Sequence, residues 1–361
     1  MRQPDWSNIH EQRGFHAAAV PLAVLSFLYG LGVRVRLAVC KRMEKKGLPG
    51  PVVSIGNLTT GGTGKTPAAC MLAEWALGEG YRVVILSRGY GGRYKEDVLV
   101  VSDGKDINIG PVKAGDEPYL LARRLPGVPV VISRDRYLAG QLAHEKFGSD
   151  FFILDDGFQH MALKRDLDLV LLDAYSPFGN GHLLPWGPLR EPVGQIGRAD
   201  ALIITRSGQV SKMDDSEGIL GGLISDKPVF RGDHIPEKVI FPVEGREYDV
   251  GFLEGKRVAA FAGIARPERF RETLISLGAD LVAFRSFGDH HSFRPDELLE
   301  LKSVKEETDA DYLLTTEKDW VRLSDITNGY PYLAYLTIRF DLLSGQERFF
   351  TMIRERVELW E

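Results

Sequence analysis

The sequence predicts an α/β protein with a three-layer α/β/α core, a second, smaller α/β domain, and an apolar N-terminal helix that associates with a membrane. Three observations carry this. Short β-branched runs alternate with helical stretches from residue 52 to 204, a second such series begins near Arg257, and residues 17 to 33 hold no charge. A chain of 361 residues is long enough to bury two cores.

The N-terminal run AAAVPLAVLSFLYGLGV, from Ala17 to Val33, leads into Arg34, Arg36, Lys41, Arg42, Lys45 and Lys46. A secretory signal fits poorly, because Asp5 and Glu11 precede the run. A spanning helix needs about 20 apolar residues, and this run is shorter and contains Pro21. A buried core helix is the rival reading. A helix lying in or dipping into a bilayer surface explains both halves of the pattern, since each basic residue of its tail gains about 1 kcal/mol from anionic headgroups. The segment 1–46 is therefore expected to associate with a membrane surface rich in anionic lipids.

After the breaker Gly47-Leu48-Pro49-Gly50-Pro51, strands are expected at Val52–Ile55, Val83–Leu86, Val130–Ile132, Phe151–Leu154, Leu169–Leu172 and Leu202–Ile204. Their unbroken apolar character points to burial on both faces. This makes a core of 47–226. Residues 227–254 are richer in Pro, Gly and charge, with only short strand-like pieces, and read as a connector. The smaller domain, 255–361, is expected to hold strands at Val258–Phe261, Leu281–Phe284, Tyr312–Leu314 and Tyr332–Leu336.

Composition excludes several classes. A net charge of −5 is wrong for a general nucleic-acid binder. Cys40 and Cys70 form no CxxC or Cys/His cluster, so no zinc site or disulfide framework is expected. No feature calls for an obligate protein partner.

The strongest chemical signal is the strand Val52–Ile55 followed by GNLTTGGTGKTP and a helical stretch. This is a P-loop, with Thr59 where the first glycine usually stands. Backbone N–H groups of Thr59, Thr60, Gly61, Gly62, Thr63 and Gly64 can surround phosphates, Lys65 can reach the β and γ groups, and the Thr66 hydroxyl can ligate Mg²⁺. A P-loop needs an acid at the end of a neighbouring strand, and Asp155 and Asp156 follow Phe151–Leu154. The guanine-binding signature Asn-Lys-x-Asp is absent; Ile204-Thr205-Arg206-Ser207 and Thr316-Glu317-Lys318-Asp319 both fail it, which favours ATP. Three further fragments are chemically suggestive: Ala114-Gly115-Asp116-Glu117-Pro118, Leu189-Arg190-Glu191-Pro192 and Gly288-Asp289-His290-His291-Ser292-Phe293. Each alone is also consistent with a helix cap, a surface ion pair or a solvated loop.

Taken in order, GNLTTGGTGKTP, SRGYGG, GDEP, SRDR, LDDGFQH, LREP and GDHHSF resemble the tetraacyldisaccharide 4'-kinase family. The resemblance implies a two-lobed α/β fold and transfer of the ATP γ-phosphate, with Mg²⁺, to the 4'-hydroxyl of an acylated disaccharide 1-phosphate lipid at the cytoplasmic face of the inner membrane. It also implies a catalytic base at Asp116 partnered by His290. Lys65 and Thr66 match the nucleotide loop. Asp155, Asp156 and Glu191 match acidic positions for metal or substrate, either aspartate being open to the metal. Arg136, Gln159, His160 and Arg190 match positions for phosphate or sugar recognition.

Overall fold

The computed structural model describes residues 20–207, 226–323 and 329–360. Residues 1–19, which include the start of the apolar run, lie outside the described residues.

The described strands form one 13-stranded sheet. Its first half is built from β1 (Val52–Gly56), β2 (Val83–Ser87), β3 (Val98–Asp103), β4 (Pro129–Ser133), β5 (Phe151–Asp155), β6 (Leu167–Asp173) and β7 (Ala201–Thr205). Their spatial order is β7-β6-β1-β5-β2-β4-β3, parallel except for the edge pair β3/β4. Helix α1 is Val20–Arg42, α2 Lys65–Gly78, α3 Asp116–Arg124 and α4 Arg136–Phe147. Alternate side chains of a strand point to opposite faces, and β1 shows this directly. Val53 and Ile55 pack against Ala68, Leu72 and Ala76 of α2, while Val52 packs against Ala139 and Ala143 of α4. Helices thus cover both faces, as the unbroken apolar strands require.

The stretch 227–254 holds more strand than its composition suggests. It contains β8 (Val229–Phe241) and β9 (Arg246–Asp249). The second half adds β10 (Arg257–Ala262), α5 (Pro267–Ser276), β11 (Asp280–Ser286), α6 (Pro295–Glu307), β12 (Tyr312–Thr316) and α7 (Glu317–Leu323). Again the strand alternates: Val258 and Ala260 meet Phe270 and Leu274 of α5, whereas Ala259 and Phe261 meet Leu298 and Leu301 of α6. Each half therefore has its own cores.

Two long strands join the halves. β13 (Leu333–Ser344) pairs in parallel with β12 at its start and antiparallel with β8 along the rest, while the start of β8 pairs with β7. The final helix α8 (Gln346–Glu358) then returns to the first half, burying Phe349, Ile353 and Val357 in the same core as β1 and α2. Between the halves, Leu120 of α3 packs with Trp320 and Val321 of α7 and Tyr335 of β13.

Among the described residues, α1 is the one helix long and apolar enough to cross a membrane. It lies along the first half rather than inside it. The Ser26 hydroxyl donates to the Leu183 carbonyl at 2.8 Å, the Tyr29 hydroxyl donates to the Arg190 carbonyl at 3.0 Å, and Arg36 pairs with Glu191. Val33 and Leu37 pack on Met161. The other faces are bare: Val24, Leu25, Phe27, Leu28, Leu31, Val35 and Val39 are all exposed. So much exposed apolar surface on one helix marks a surface that meets an apolar partner.

Candidate active site

The loop that leaves β1 is shaped by its neighbours. Thr59 bridges to Leu189, and the Thr60 N–H donates to the Pro188 carbonyl at 2.8 Å. Asn57 donates from Nδ2 to the Thr63 hydroxyl at 3.0 Å, and Arg206 donates to the Gly62 carbonyl at 2.6 Å. Gly61 and Gly62 border open space. Gly64 stands in the left-handed region at φ +85°, and a Cβ there would lie 1.8 Å from Nε2 of His234 on β8, so both its conformation and its space demand glycine. Lys65 and Thr66 then open α2, at whose N-terminus the free N–H groups favour an anion.

Sheet register brings the acids to this loop. β1 and β5 pair in parallel with Ile55 opposite Asp155, so the carboxylates emerge beside the start of the loop. Their environments differ sharply. Asp155 is buried, accepts from the Ser87 hydroxyl at 3.2 Å through Oδ2, and has no partner for Oδ1. Burial, together with the Glu117 and Asp156 charges, pushes its carboxyl up to about 7. Asp156, at φ +53°, accepts from Arg190 through both oxygens at 2.9 and 2.8 Å and lies 3.5 Å from the Lys65 ammonium. Burial opposes its charge as well, but Lys65 and Arg190 outweigh it and hold the carboxyl at about 2.

Behind these acids lies a buried polar cluster. Arg136 is buried, its Nε has no partner, and burial and the nearby Arg88 charge lower its guanidinium. His160 is lowered to about 4 by burial and the Arg136 and Arg165 charges, which leaves the ring neutral near pH 7 with Nε2 unpartnered. Gln159 donates to the Asn57 carbonyl at 2.9 Å and keeps Oε1 free of partners. Glu191 stands apart: both oxygens are held, one by Arg36 of α1 and the other by Arg198, while burial raises its carboxyl. Its contacts are those of a tether for α1.

The seam between the halves supplies a second centre. Gly115 takes φ +93° just before α3, and the turn aims Asp116 at the second half. Asp116 Oδ2 lies 3.2 Å from His290 Nδ1 and accepts from Arg322 Nε at 2.7 Å. Burial works against the Asp116 charge, but His290 and Arg322 prevail and hold its carboxyl at about 2. The adjacent His291 turns away to Glu297, at 3.0 Å. Glu117 pairs with Lys318 at 3.1 Å and is also within electrostatic reach of Lys65 and Asp156, which sets the seam centre next to the P-loop.

Sequence reasoning did not single out Arg322, Lys318 or His234, and it read Arg36 only as part of the basic tail, whereas the fold pairs it with Glu191. One fragment was in view for a different reason. Thr316-Glu317-Lys318-Asp319 fails as a guanine signature, yet in the fold Glu317 pairs with Arg124, Lys318 with Glu117, and Asp319 with Arg322.

Comparison with known proteins agrees with this architecture. The family described as LpxK, Tetraacyldisaccharide-1-P 4'-kinase, matches residues 18–358. The chain is 44% identical over 329 residues to the tetraacyldisaccharide 4'-kinase of Syntrophus aciditrophicus, covering 88% of each. To that of Geobacter metallireducens it is 42% identical over 319 residues, covering 87% of this chain and 92% of the other. The crystal structure of LpxK from Aquifex aeolicus in complex with ATP superposes with a TM-score of 0.75 at 34% identity, covering 94% of this chain and 99% of that one.

Proposed function

This chain belongs to the tetraacyldisaccharide 4'-kinase family, and from that premise we propose how its residues carry the reaction. The protein is an ATP-dependent kinase of lipid A biosynthesis, transferring the ATP γ-phosphate to the 4'-hydroxyl of a tetraacyldisaccharide 1-phosphate to give the 1,4'-bisphosphate. The observation that carries the residue assignment is the meeting of Asp116 and His290 from opposite halves, one residue from a Glu117 that senses the P-loop lysine.

In the transfer, the 4'-oxygen attacks the γ-phosphorus, the bond to the β-phosphate oxygen breaks, ADP leaves, and the hydroxyl proton passes to Asp116. A carboxyl held at about 2 is fully ionised near neutral pH, so it can orient the hydroxyl; as a weak base it takes the proton only as the bond to phosphorus forms and the hydroxyl turns strongly acidic. Lys65 and the α2 N-terminus hold the nucleotide phosphates. Arg190, Gln159 and His160, with Arg136 buried behind them, are the residues suited to recognise phosphate or sugar.

The residues fit Mg²⁺. Asp155 is a buried carboxylate with one oxygen unpartnered, and Thr66 places a second hard oxygen ligand at the head of α2. A magnesium ion asks for only one or two protein oxygens when phosphates and water complete its shell. Asp156 is already committed to Arg190 and Lys65, so Asp155 and Thr66 are the residues that would hold the ion, which when bound would neutralise charge on the transferring phosphate.

The exposed apolar faces of α1 are compatible with membrane association and support our reading that the enzyme works at the cytoplasmic face of the inner membrane, against anionic lipids. Each buried CH₂ of an acyl chain contributes about 0.8 kcal/mol, so the substrate stays in the bilayer and the kinase must come to it. The test is transfer from labelled ATP, with Mg²⁺, to a tetraacylated disaccharide 1-phosphate in detergent micelles. Label in the lipid that disappears with Lys65→Ala supports the reading. Phosphate release independent of the lipid, with no labelled lipid, overturns it.

A further inference from the structure

Asp116 and His290 face each other across a seam, one on each half, and neither is built to hold the other. His290 sits on a loop at φ +57° with nearly half its side chain exposed. A pair this open contributes little by itself, too little to fix two halves to the accuracy that proton transfer needs. Arg322 supplies what the pair lacks. Its side chain is 6% exposed and makes four contacts: Nε to Asp116 Oδ2 at 2.7 Å, Nη2 to His290 Nδ1 at 3.1 Å, and Nη1 to both Asp319 Oδ1 and the Gly263 carbonyl at 3.0 Å.

The anchor behind the guanidinium is itself fixed. Asp319 is fully buried, and its Oδ2 accepts from the Gly263 N–H at 2.9 Å and from the Thr316 hydroxyl at 2.7 Å. Three elements of the second half, the ends of β10 and β12 and the helix α7, thus clamp one rigid fork of donors. His290 Nδ1 lies 3.1 Å from Arg322 Nη2 and 3.2 Å from Asp116 Oδ2, so one guanidinium brackets both members of the pair. Asp116 Oδ2 is taken up by the clamp. Oδ1 is left without a partner among the described residues.

We propose that Arg322 is a positioning residue for phosphoryl transfer, locking Asp116 and His290 from the two halves into one unit and leaving Asp116 Oδ1 to meet the acceptor hydroxyl. This rests on the kinase reading above. Arg322 touches neither substrate nor nucleotide in this role; it acts through Asp116.

The experiment is a double-mutant cycle on the full chain, measuring kcat and the KM for ATP with the micellar lipid acceptor. Arg322→Lys keeps the charge and loses the fork, so kcat should fall about tenfold with the KM for ATP unchanged, and Arg322→Ala should fall further. In an Asp116→Asn background, Arg322→Lys should change kcat by less than about twofold, because the partner through which it acts is already gone. Should Arg322→Ala fail to fold, as circular dichroism would show, the lysine variant carries the cycle alone. Unchanged kcat in Arg322→Lys, or the same fold loss in both backgrounds, overturns the proposal. An unsubstituted enzyme that labels no lipid would instead sink the kinase reading, before any variant is compared.

Discussion

The acids at the end of β5 and the acid at the seam solve the problem of a buried charge by opposite means. Asp155 and Asp156 are neighbours in sequence, yet one is pushed up to about 7 and the other held at about 2, because only Asp156 has cations within reach of both oxygens. Asp116 and Arg322 are 206 positions apart and form one charge-balanced unit. The first centre is complete within one half and leaves a carboxylate open to an incoming cation. The second exists only where the halves meet.

The largest expected effect tests that dependence on the seam. Asp116→Ala should lower kcat by about 10² to 10⁴, the usual range for a positioned proton acceptor, with ATP affinity unchanged. Steady-state transfer together with nucleotide titration checks this, and equal kcat in the variant would remove Asp116 from the chemistry. At the other centre, Lys65→Ala should lower transfer by about 10² to 10³, as loss of one preorganised phosphate donor does, and should weaken ATP binding as well. A variant that binds ATP as tightly as the parent would mean the two centres divide their work differently.

Stability against pH separates the centres more finely. A carboxyl raised on folding holds its proton more tightly in the native state, so Asp155 makes the metal-free protein less stable as pH rises from about 4 to about 7. Asp156 and Asp116, both lowered, do the reverse: they stabilise above about 4, and that contribution is lost as pH falls toward about 2. Urea midpoints of Asp155→Asn should therefore fall less steeply than the parent's across the upper window and follow it in the lower one. Identical slopes in both proteins would show that Asp155 is better solvated than its burial implies.

The smallest expected effect lies farthest from either centre. Phe27→Ser or Leu28→Ser on the exposed face of α1 should weaken binding to anionic vesicles about tenfold, the equivalent of burying part of one large apolar side chain. ATP affinity should stay constant. Flotation assays that show full binding by both variants would place the membrane contact elsewhere.

Much of the fold was legible because buried parallel strands are written as unbroken β-branched runs; β1, β5 and β7 each lie within a residue or two of the expected span. The P-loop was legible because its chemistry is local. β8 was not, since its thirteen residues carry Pro236 and mixed polar side chains, as suits a strand that leaves one half for the other. The return of α8 had no signature either: Phe349, Ile353 and Val357 form an ordinary helical stripe, and nothing in a stripe says which core it faces. Of the site, Asp116 and His290 came into view through fragment resemblance, but Arg322 did not. An arginine on a short helix looks like a surface charge until the fold closes two carboxylates, a carbonyl and a ring nitrogen around it.

The path of the chain through β8 and β13 has a topological consequence. The backbone goes out along one strand and comes home along its antiparallel partner, so everything between is a loop inserted into the P-loop half, closed at its base by a two-stranded hairpin stem. Ile338 stands opposite Pro236 across that stem. That stem sets the two halves side by side, and it is through it that His290 and Arg322, which belong to the inserted part, come to stand against Asp116.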